Sequence, residues 1–219
     1  MEYEVRFYYS KTELEKIINK LKDIPELHSN LRIYEKTIQY NHISPEYDFY
    51  NKEVDGRFRL RISKNDLNNK CKLSWKQRLK NTTEDKVNVE IEKEVRINAN
   101  DIDNFIYIIE NVMHFTVVES YERYRTIFEN NDIEIAIDEY PFGLCIEIEN
   151  KSIDKIPSEV VKYWTNLLGL DINKAYRLSW DDKYEELCHE QNIDCYKEVT
   201  FDKVMPIIDN KFNWGEKWK

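Results

Sequence analysis

The sequence predicts an α+β fold: a closed eight-stranded antiparallel β-barrel with helices packed on the outside. Three observations predict it. Short segments alternate polar and apolar residues with period two, amphipathic helical segments interrupt them, and the polar residues of each strand carry mostly one sign of charge. With 219 residues the chain is long enough for one well-buried core. Its 41% hydrophobic and 13% aromatic content excludes a disordered chain, yet 34% of its residues are charged, high for an ordinary domain. Those charges must be solvated or held in place.

Glu2, Glu4 and Arg6 alternate with Tyr3, Val5 and Phe7 in the first strand. Ser10, followed three residues later by Glu13, is a capping-box signature. Leu14, Ile17, Ile18 and Leu21 then recur at helical spacing until Pro25, which predicts a helix over 11–23. A strand over 34–40 has the least regular alternation. Arg57, Arg59 and Arg61 alternate with Phe58, Leu60 and Ile62. Lys72, Ser74, Lys76 and Arg78 alternate largely with Leu73, Trp75 and Leu79, and Glu90, Glu92 and Glu94 follow Val87, Val89 and Ile91. A second helix is predicted over 101–113, burying Ile102, Phe105, Ile109 and Val112. Glu134, Ala136 and Asp138 alternate with Ile133, Ile135 and Ile137, and Glu147 and Glu149 with Ile146 and Ile148. A third helix begins near Pro157 and stops at Gly169, with Val160, Val161, Trp164, Leu167 and Leu168 as its apolar stripe. A fourth covers about 180–190, after Ser179. No repeat or low-complexity linker divides the chain. The expected organisation is one domain over 1–187 and an extension, 188–219, whose structure the pattern leaves open.

Several function classes drop out at this level. A net charge of −9 argues against bulk nucleic-acid binding. Glu2, Glu4 and Arg6 stand where a secretory signal needs apolar residues, and the longest apolar region, 105–118, is broken by Glu110 and Asn111. A cytoplasmic protein with no membrane segment is the expectation. Cys71, Cys145, Cys188 and Cys195 lack CxxC spacing and read as free thiols; a zinc site from Cys188, His189 and Cys195 lacks a fourth ligand. His28, His42, His114 and His189 lie outside the strand motifs, and no GxxxxGK[ST] loop occurs.

One alternating strand is ordinarily a half-solvated strand. The set is different, because solvated faces usually intersperse both signs, whereas here the polar face is mostly one sign per strand. The helices need a sheet face to cover. If Phe58, Leu60, Ile133, Ile135, Ile146 and Ile148 meet them, the charged faces turn the other way, and closing the sheet makes that other face an interior. Such an interior is too costly unless the charges pair or receive a ligand and metal. The chemistry calls for a polyanion with cations.

Particular motifs fit this reading. Glu2-Tyr3-Glu4-Val5-Arg6 is similar to an ExExK strand, with Arg in place of Lys. Phe58-Arg59-Leu60-Arg61-Ile62 is similar to an LRIR-type strand, and Leu73-Ser74-Trp75-Lys76 to a strand bearing a phosphate-binding lysine. Val89-Glu90-Ile91-Glu92 is similar to the acidic strand after it, Arg123-Tyr124-Arg125 to a K-x-R strand, and Ile137-Asp138-Glu139, Gly143 and Glu147-Ile148-Glu149 to an LDE…G…EIE ending. Over about residues 1–187 the chain resembles the CYTH superfamily, the triphosphate tunnel metalloenzymes, which includes inorganic, thiamine and RNA triphosphatases and class IV adenylate cyclases.

The resemblance implies roles. Glu2, Glu4, Glu147 and Glu149, from the first and last strands, would hold Mg²⁺ or Mn²⁺, with Asp138 a further ligand. Arg6, Arg59, Arg61, Lys76, Arg78, Arg123 and Arg125 would bind the phosphate chain by charge-assisted hydrogen bonds. Arg57 and Lys72 would lie at the tunnel mouth. Glu90 and Glu92 would orient basic residues or the attacking water, so Glu2, Glu4, Glu90 and Glu92 form the candidate catalytic set. Arg6 keeps the charge of the family lysine but is bulkier and cannot donate a proton. The expected activity is metal-dependent hydrolysis of an inorganic, nucleoside or RNA 5′-triphosphate. A class IV-type adenylate cyclase and a non-catalytic polyphosphate- or RNA-end-binding module are the alternatives. Trp214 and Trp218, in the tail, are candidates for stacking on bases or for docking on the body.

Overall fold

Alternation of apolar and charged residues builds strands with two unlike faces, and the structure, a computed structural model, shows where each face turns. It describes residues 2–64, 69–79 and 88–212, with the side chains of Glu2, Asn88 and Val89 outside that description, as are Trp214 and Trp218. In chain order the elements are β1 (Glu2–Tyr9), α1 (Leu14–Lys22), β2 (His28–Ser29), β3 (Ile33–His42), β4 (Gly56–Lys64), β5 (Asn69–Arg78), β6 (Asn88–Ile97), α2 (Ile102–Tyr107), β7 (Phe115–Glu129), β8 (Ile133–Tyr140), β9 (Gly143–Asn150), α3 (Pro157–Leu167), α4 (Trp180–Gln191) and β10 (Glu198–Val199). The strand order is β7-β3-β4-β5-β6-β1-β9-β8, and β8 pairs back onto β7. Eight antiparallel strands therefore close a ring, which removes the sheet edges. β2 and β10 are short additions beside β7.

The apolar faces point outward, under the helices. Val5, Phe7, Ile135, Ile137, Ile146 and Ile148 pack against Ile17 and Leu21 of α1 and Val160, Val161 and Trp164 of α3. Each such side chain contributes roughly 1.5–3 kcal/mol on burial. A second cluster sets Tyr40, Leu60 and Cys71 beneath α2 and Ile109. The predicted helices hold with small changes. Ser10 caps a 3₁₀ turn, Lys11–Glu13, by accepting from the Thr12 N–H, while Glu13 pairs with Lys16 instead of returning to the cap. α3 ends where Gly169 takes φ +68°, which suits glycine. The predicted stripe of the second helix is wrong at Val112. α2 continues as a π turn, Ile108–Val112, whose wider winding keeps Ile109 buried but leaves Val112 62% exposed.

Two features lay beyond the pattern. β3 carries an irregularity between Gln39 and Tyr40 where it pairs with β7, which explains its uneven alternation. Residues 188–212 are folded onto the barrel: Ser120 N–H donates to the Lys197 carbonyl (2.8 Å), Ile208 N–H to Phe142 (3.0 Å) and Ser10 N–H to Asn210 (2.8 Å). Phe212 is buried against Tyr9, with ring centroids 4.7 Å apart. Among the described residues no helix is long and apolar enough to cross a membrane.

Gly56 opens β4 where the Trp75 ring lies across it, so a β-carbon there would fall inside that ring. Trp75 is itself wedged edge-on against Phe49, with ring centroids 5.0 Å apart. Gly56→Ala is expected to cost ~1–3 kcal/mol through overpacking, read as a lower urea midpoint with an unchanged m-value.

Candidate functional site

The strand registers turn the charged residues to a common interior. Glu4 lies opposite Glu149 and Arg6 opposite Glu147 across β1 and β9. Lys76 lies opposite Glu92 across β5 and β6, and Arg125 opposite Asp138 across β7 and β8. The interior holds a cavity of about 190 Å³. Its wall includes Glu4, Arg6, Arg57, Arg59, Arg61, Lys72, Lys76, Glu90, Glu92, Arg123, Arg125, Glu147 and Glu149. Among the described residues one end is lined by the start of α4, where Ser179 and Trp180 face the cavity and Arg6 Nη1 donates to the Leu178 carbonyl at 3.4 Å. Ser179 and Asp182 form the capping box that fixes this helix start. Toward the other end Lys72, Glu94 and Lys151 also line the cavity, with side chains 36–43% exposed. Among the described residues the bore is open there.

The arginines of the wall differ in how they are held. Arg6, Arg123 and Arg125 are held fast. Arg6 contacts Glu4 and donates Nε to Glu147 at 2.9 Å. Arg123 donates to Glu35 (2.8 Å) and Asp138 (2.7 Å), and Arg125 to Asp138 (2.6 Å, twice) and Glu147 (2.5 Å). Arg59 and Arg61 are held loosely. Arg59 reaches Glu92 only at 3.9 Å and its Nε has no hydrogen-bond partner among the described residues. Arg61 lies 3.8 Å from Glu35 and donates Nε to Thr37 at 3.3 Å. Arg57 reaches Asp55 at 3.1 Å and Glu90 at 3.9 Å, with its Nε likewise unpartnered. Buried donors without close acceptors are costly, and a polyanion would relieve that cost.

The carboxyl groups respond to this field. Burial alone would raise Glu147, but Arg125, Arg6 and Arg123 outweigh it and hold the group well below the usual range. Burial would likewise raise Glu90, yet Lys76, Arg6, Arg57 and Arg78 bring it down to about 2. Glu4 is the exception: burial outweighs Arg6 and Lys76, and its carboxyl is pushed up.

Most of the predicted residues meet at this wall. Glu4, Arg6, Arg59, Arg61, Lys76, Glu90, Glu92, Arg123, Arg125, Glu147 and Glu149 all line it. The Glu2 side chain lies outside the described residues; its backbone pairs with Glu90. Arg78 stands behind the wall, between Asp55 (3.3 Å) and Glu90 (3.7 Å). Asp138 is fully buried, with both oxygens taken by Arg123 and Arg125. Sequence reasoning missed Tyr121, Tyr140, Glu94, Glu134, Lys151, Ser179 and Trp180. Tyr121, Tyr140, Glu134 and Lys151 continue the period-two phase of Arg123, Asp138 and Glu149, so their side of the sheet was readable. Nothing local marks Ser179 and Trp180.

The wall offers carboxylate oxygens suited to a hard divalent cation. Among the described residues, no group of three His, Cys, Asp or Glu side chains stands ready to hold one. Glu4 and Glu147 contact arginines, and Glu149 lies 3.8 Å from Lys151. Mg²⁺ is usually bound through one or two carboxylates together with substrate phosphates rather than in an all-protein cage.

No family model matches the chain, and no curated protein matches it in sequence. Solved structures do. The PH1819 protein of Pyrococcus horikoshii OT3 is 25% identical, covering 85% of this chain and 99% of its own, with a TM-score of 0.66. The adenylyl cyclase candidate HpAC1 from Hippeastrum, described as having a dominant triphosphatase activity, is 16% identical over 90% of this chain and 99% of its own, with a TM-score of 0.57. An adenylate cyclase candidate from Vibrio parahaemolyticus is 17% identical over 82% of this chain and 96% of its own, with a TM-score of 0.56. With its ring of eight strands and its charged bore, the chain has the CYTH, or triphosphate tunnel, fold.

Proposed function

We propose that this protein is a metal-dependent triphosphatase that binds a triphosphate in the bore and hydrolyses its terminal phosphoanhydride. The observation that carries the reading is the pair of loosely held guanidinium groups of Arg59 and Arg61 facing a cavity that the start of α4 lines at one end. Charge-assisted, bidentate bonds from such groups match phosphate oxygens. The α4 end favours insertion with the terminal phosphate leading, so that any attached group stays at the open mouth.

Within this reading Arg59, Arg61 and Lys76 take the phosphate oxygens. Asp138 acts as a positioning residue, keeping Arg123 and Arg125 in place through its two oxygens. Glu4, whose carboxyl is pushed up by burial, accepts the proton of the water that attacks the terminal phosphorus. Glu147 and Glu149, with Glu4 beside them, would hold Mg²⁺ or Mn²⁺. When bound, the cation would neutralise charge on the phosphates and on the leaving group.

The attached group and the reaction outcome are tested together. Purified protein is incubated with inorganic triphosphate, ATP and a 5′-triphosphorylated RNA, each with Mg²⁺ or Mn²⁺. Released orthophosphate is the expected product. Cyclic AMP with pyrophosphate would instead make the protein a cyclase. Tight binding without turnover, unchanged in Glu4→Gln, would make it a binding module.

A further inference from the structure

Residues 176–181 lead into α4 as a strap across the inner end of the bore, away from its open mouth. At one end of the strap the Tyr176 N–H donates to the Arg6 carbonyl on β1 (2.8 Å), and Arg6 Nη1 donates to the Leu178 carbonyl (3.4 Å). At the other end Asp181 accepts from the Tyr50 hydroxyl at 2.8 Å, and Tyr50 belongs to the connection between β3 and β4. In the ring of eight strands β3 and β1 are four places apart, by way of β4, β5 and β6, so the two anchors lie on opposite sides of the barrel. Between them Ser179 and Trp180 face the cavity. The Trp180 ring lies against Tyr121 of β7 and Tyr140 of β8, with centroids 4.3 and 6.2 Å apart. The Ser179 hydroxyl also contacts Asp181, so the Tyr50 anchor reaches the cavity wall through one side chain.

We propose that Tyr50 is a positioning residue: by pinning Asp181 it holds the strap across the inner end of the bore and so shapes the seat of the terminal phosphate. The proposal rests on the reading of the bore as a triphosphate site and extends it to a residue outside the cavity wall. The connection that carries Tyr50 is itself firm. The Tyr50 N–H donates to Asp48 Oδ1 (3.0 Å), Asn41 Nδ2 donates to the same oxygen (2.9 Å), and the Gly56 N–H donates to the Phe49 carbonyl (2.9 Å). Glu119 of β7 also reaches the Tyr50 hydroxyl. Burial, with Asp181 nearby, pushes the Glu119 carboxyl up to about 9, so at neutral pH it keeps its own proton and leaves that of Tyr50 to Asp181. The two anchors are unlike in kind. The β1 anchor joins main-chain groups and Arg6, whereas the opposite one hangs on a single hydroxyl. Removing that hydroxyl frees one end of the strap and leaves the other in place. A ligand that touches the seated strap would then have to close it first, and its affinity falls by the cost of closing.

The test uses the full chain, inorganic triphosphate as probe and a chelator to prevent turnover. Tyr50→Phe removes the pin and keeps the ring. Hydrogen exchange read by mass spectrometry is expected to speed up ~10-fold over residues 176–181 in the ligand-free variant, with β8 and β9 unchanged. Triphosphate is expected to bind the variant ~10-fold more weakly and, at saturation, to return the strap to the wild-type exchange rate, because binding and closing are linked reciprocally. A merely structural role would speed exchange throughout the barrel and give triphosphate no such local effect. Asp181→Ala cuts the same pin from the other side, which covers the case in which Tyr50→Phe does not fold, and Tyr50→Phe is expected to add nothing further to it. Unchanged exchange in the strap, a rise shared by β8 and β9, unchanged triphosphate affinity, or an equal effect of Tyr50→Phe with and without Asp181 overturns the proposal and leaves the triphosphate reading standing. Failure of triphosphate to bind the wild type overturns both.

Discussion

Asp138→Asn is expected to destabilise the protein by ~3–5 kcal/mol, the range for breaking one side of a buried ion pair. Asp138 is fully buried and accepts from both Arg123 and Arg125. Removing its charge leaves each guanidinium with a single carboxylate, Glu35 for Arg123 and Glu147 for Arg125. The amide also presents a donor where two donors already converge. Chemical unfolding in urea reads the loss directly. Turnover should fall as well, since Arg125 also fixes Glu147 at 2.5 Å. A loss under ~1 kcal/mol would show that the remaining carboxylates neutralise both arginines unaided.

Arg61→Gln is expected to do the opposite: little change in stability and a large loss of anion affinity. The side chain is held only by a 3.3 Å bond to Thr37 and a 3.8 Å approach to Glu35, so the folded protein loses little. A hydrogen bond to a charged group contributes about 1.5–3 kcal/mol, which corresponds to a ~10- to 150-fold weaker affinity for inorganic triphosphate. Titration calorimetry in a chelator, beside a melting curve, separates the two effects. An unchanged affinity would place the phosphate chain elsewhere on the wall.

These two variants mark what the amino-acid pattern can and cannot express. Period-two alternation identified the inward phase of β1, β4, β5, β6, β8 and β9, and the outward Ile and Leu residues told which side the helices cover. Arg61 and Arg125 look alike in that pattern, and so do Arg59 and Arg123. Their difference arises from which carboxylate lies across the ladder, and that depends on registers between strands far apart in the chain, such as Glu35 opposite Arg123. Asp138 read as a metal ligand for the same reason: its residue type and position suit one, but two arginines from β7 reach it first. The start of α4 was located as a helix start, whereas its seat over the barrel end follows from the Trp180, Tyr140 and Tyr121 stack, which no local pattern encodes. The tail segment 188–212 reads as polar and irregular, and it adheres through a few spaced apolar residues, Val199, Met205, Ile208 and Phe212.

The α4 cap also has a kinetic consequence for the proposed hydrolysis. Among the described residues the bore has one doorway, and such a passage enforces an order of departure. Orthophosphate severed at the inner position can escape only after the remainder of the substrate has vacated the threshold. It would then be the last product off, and free orthophosphate would rebind the vacated site and compete with incoming substrate.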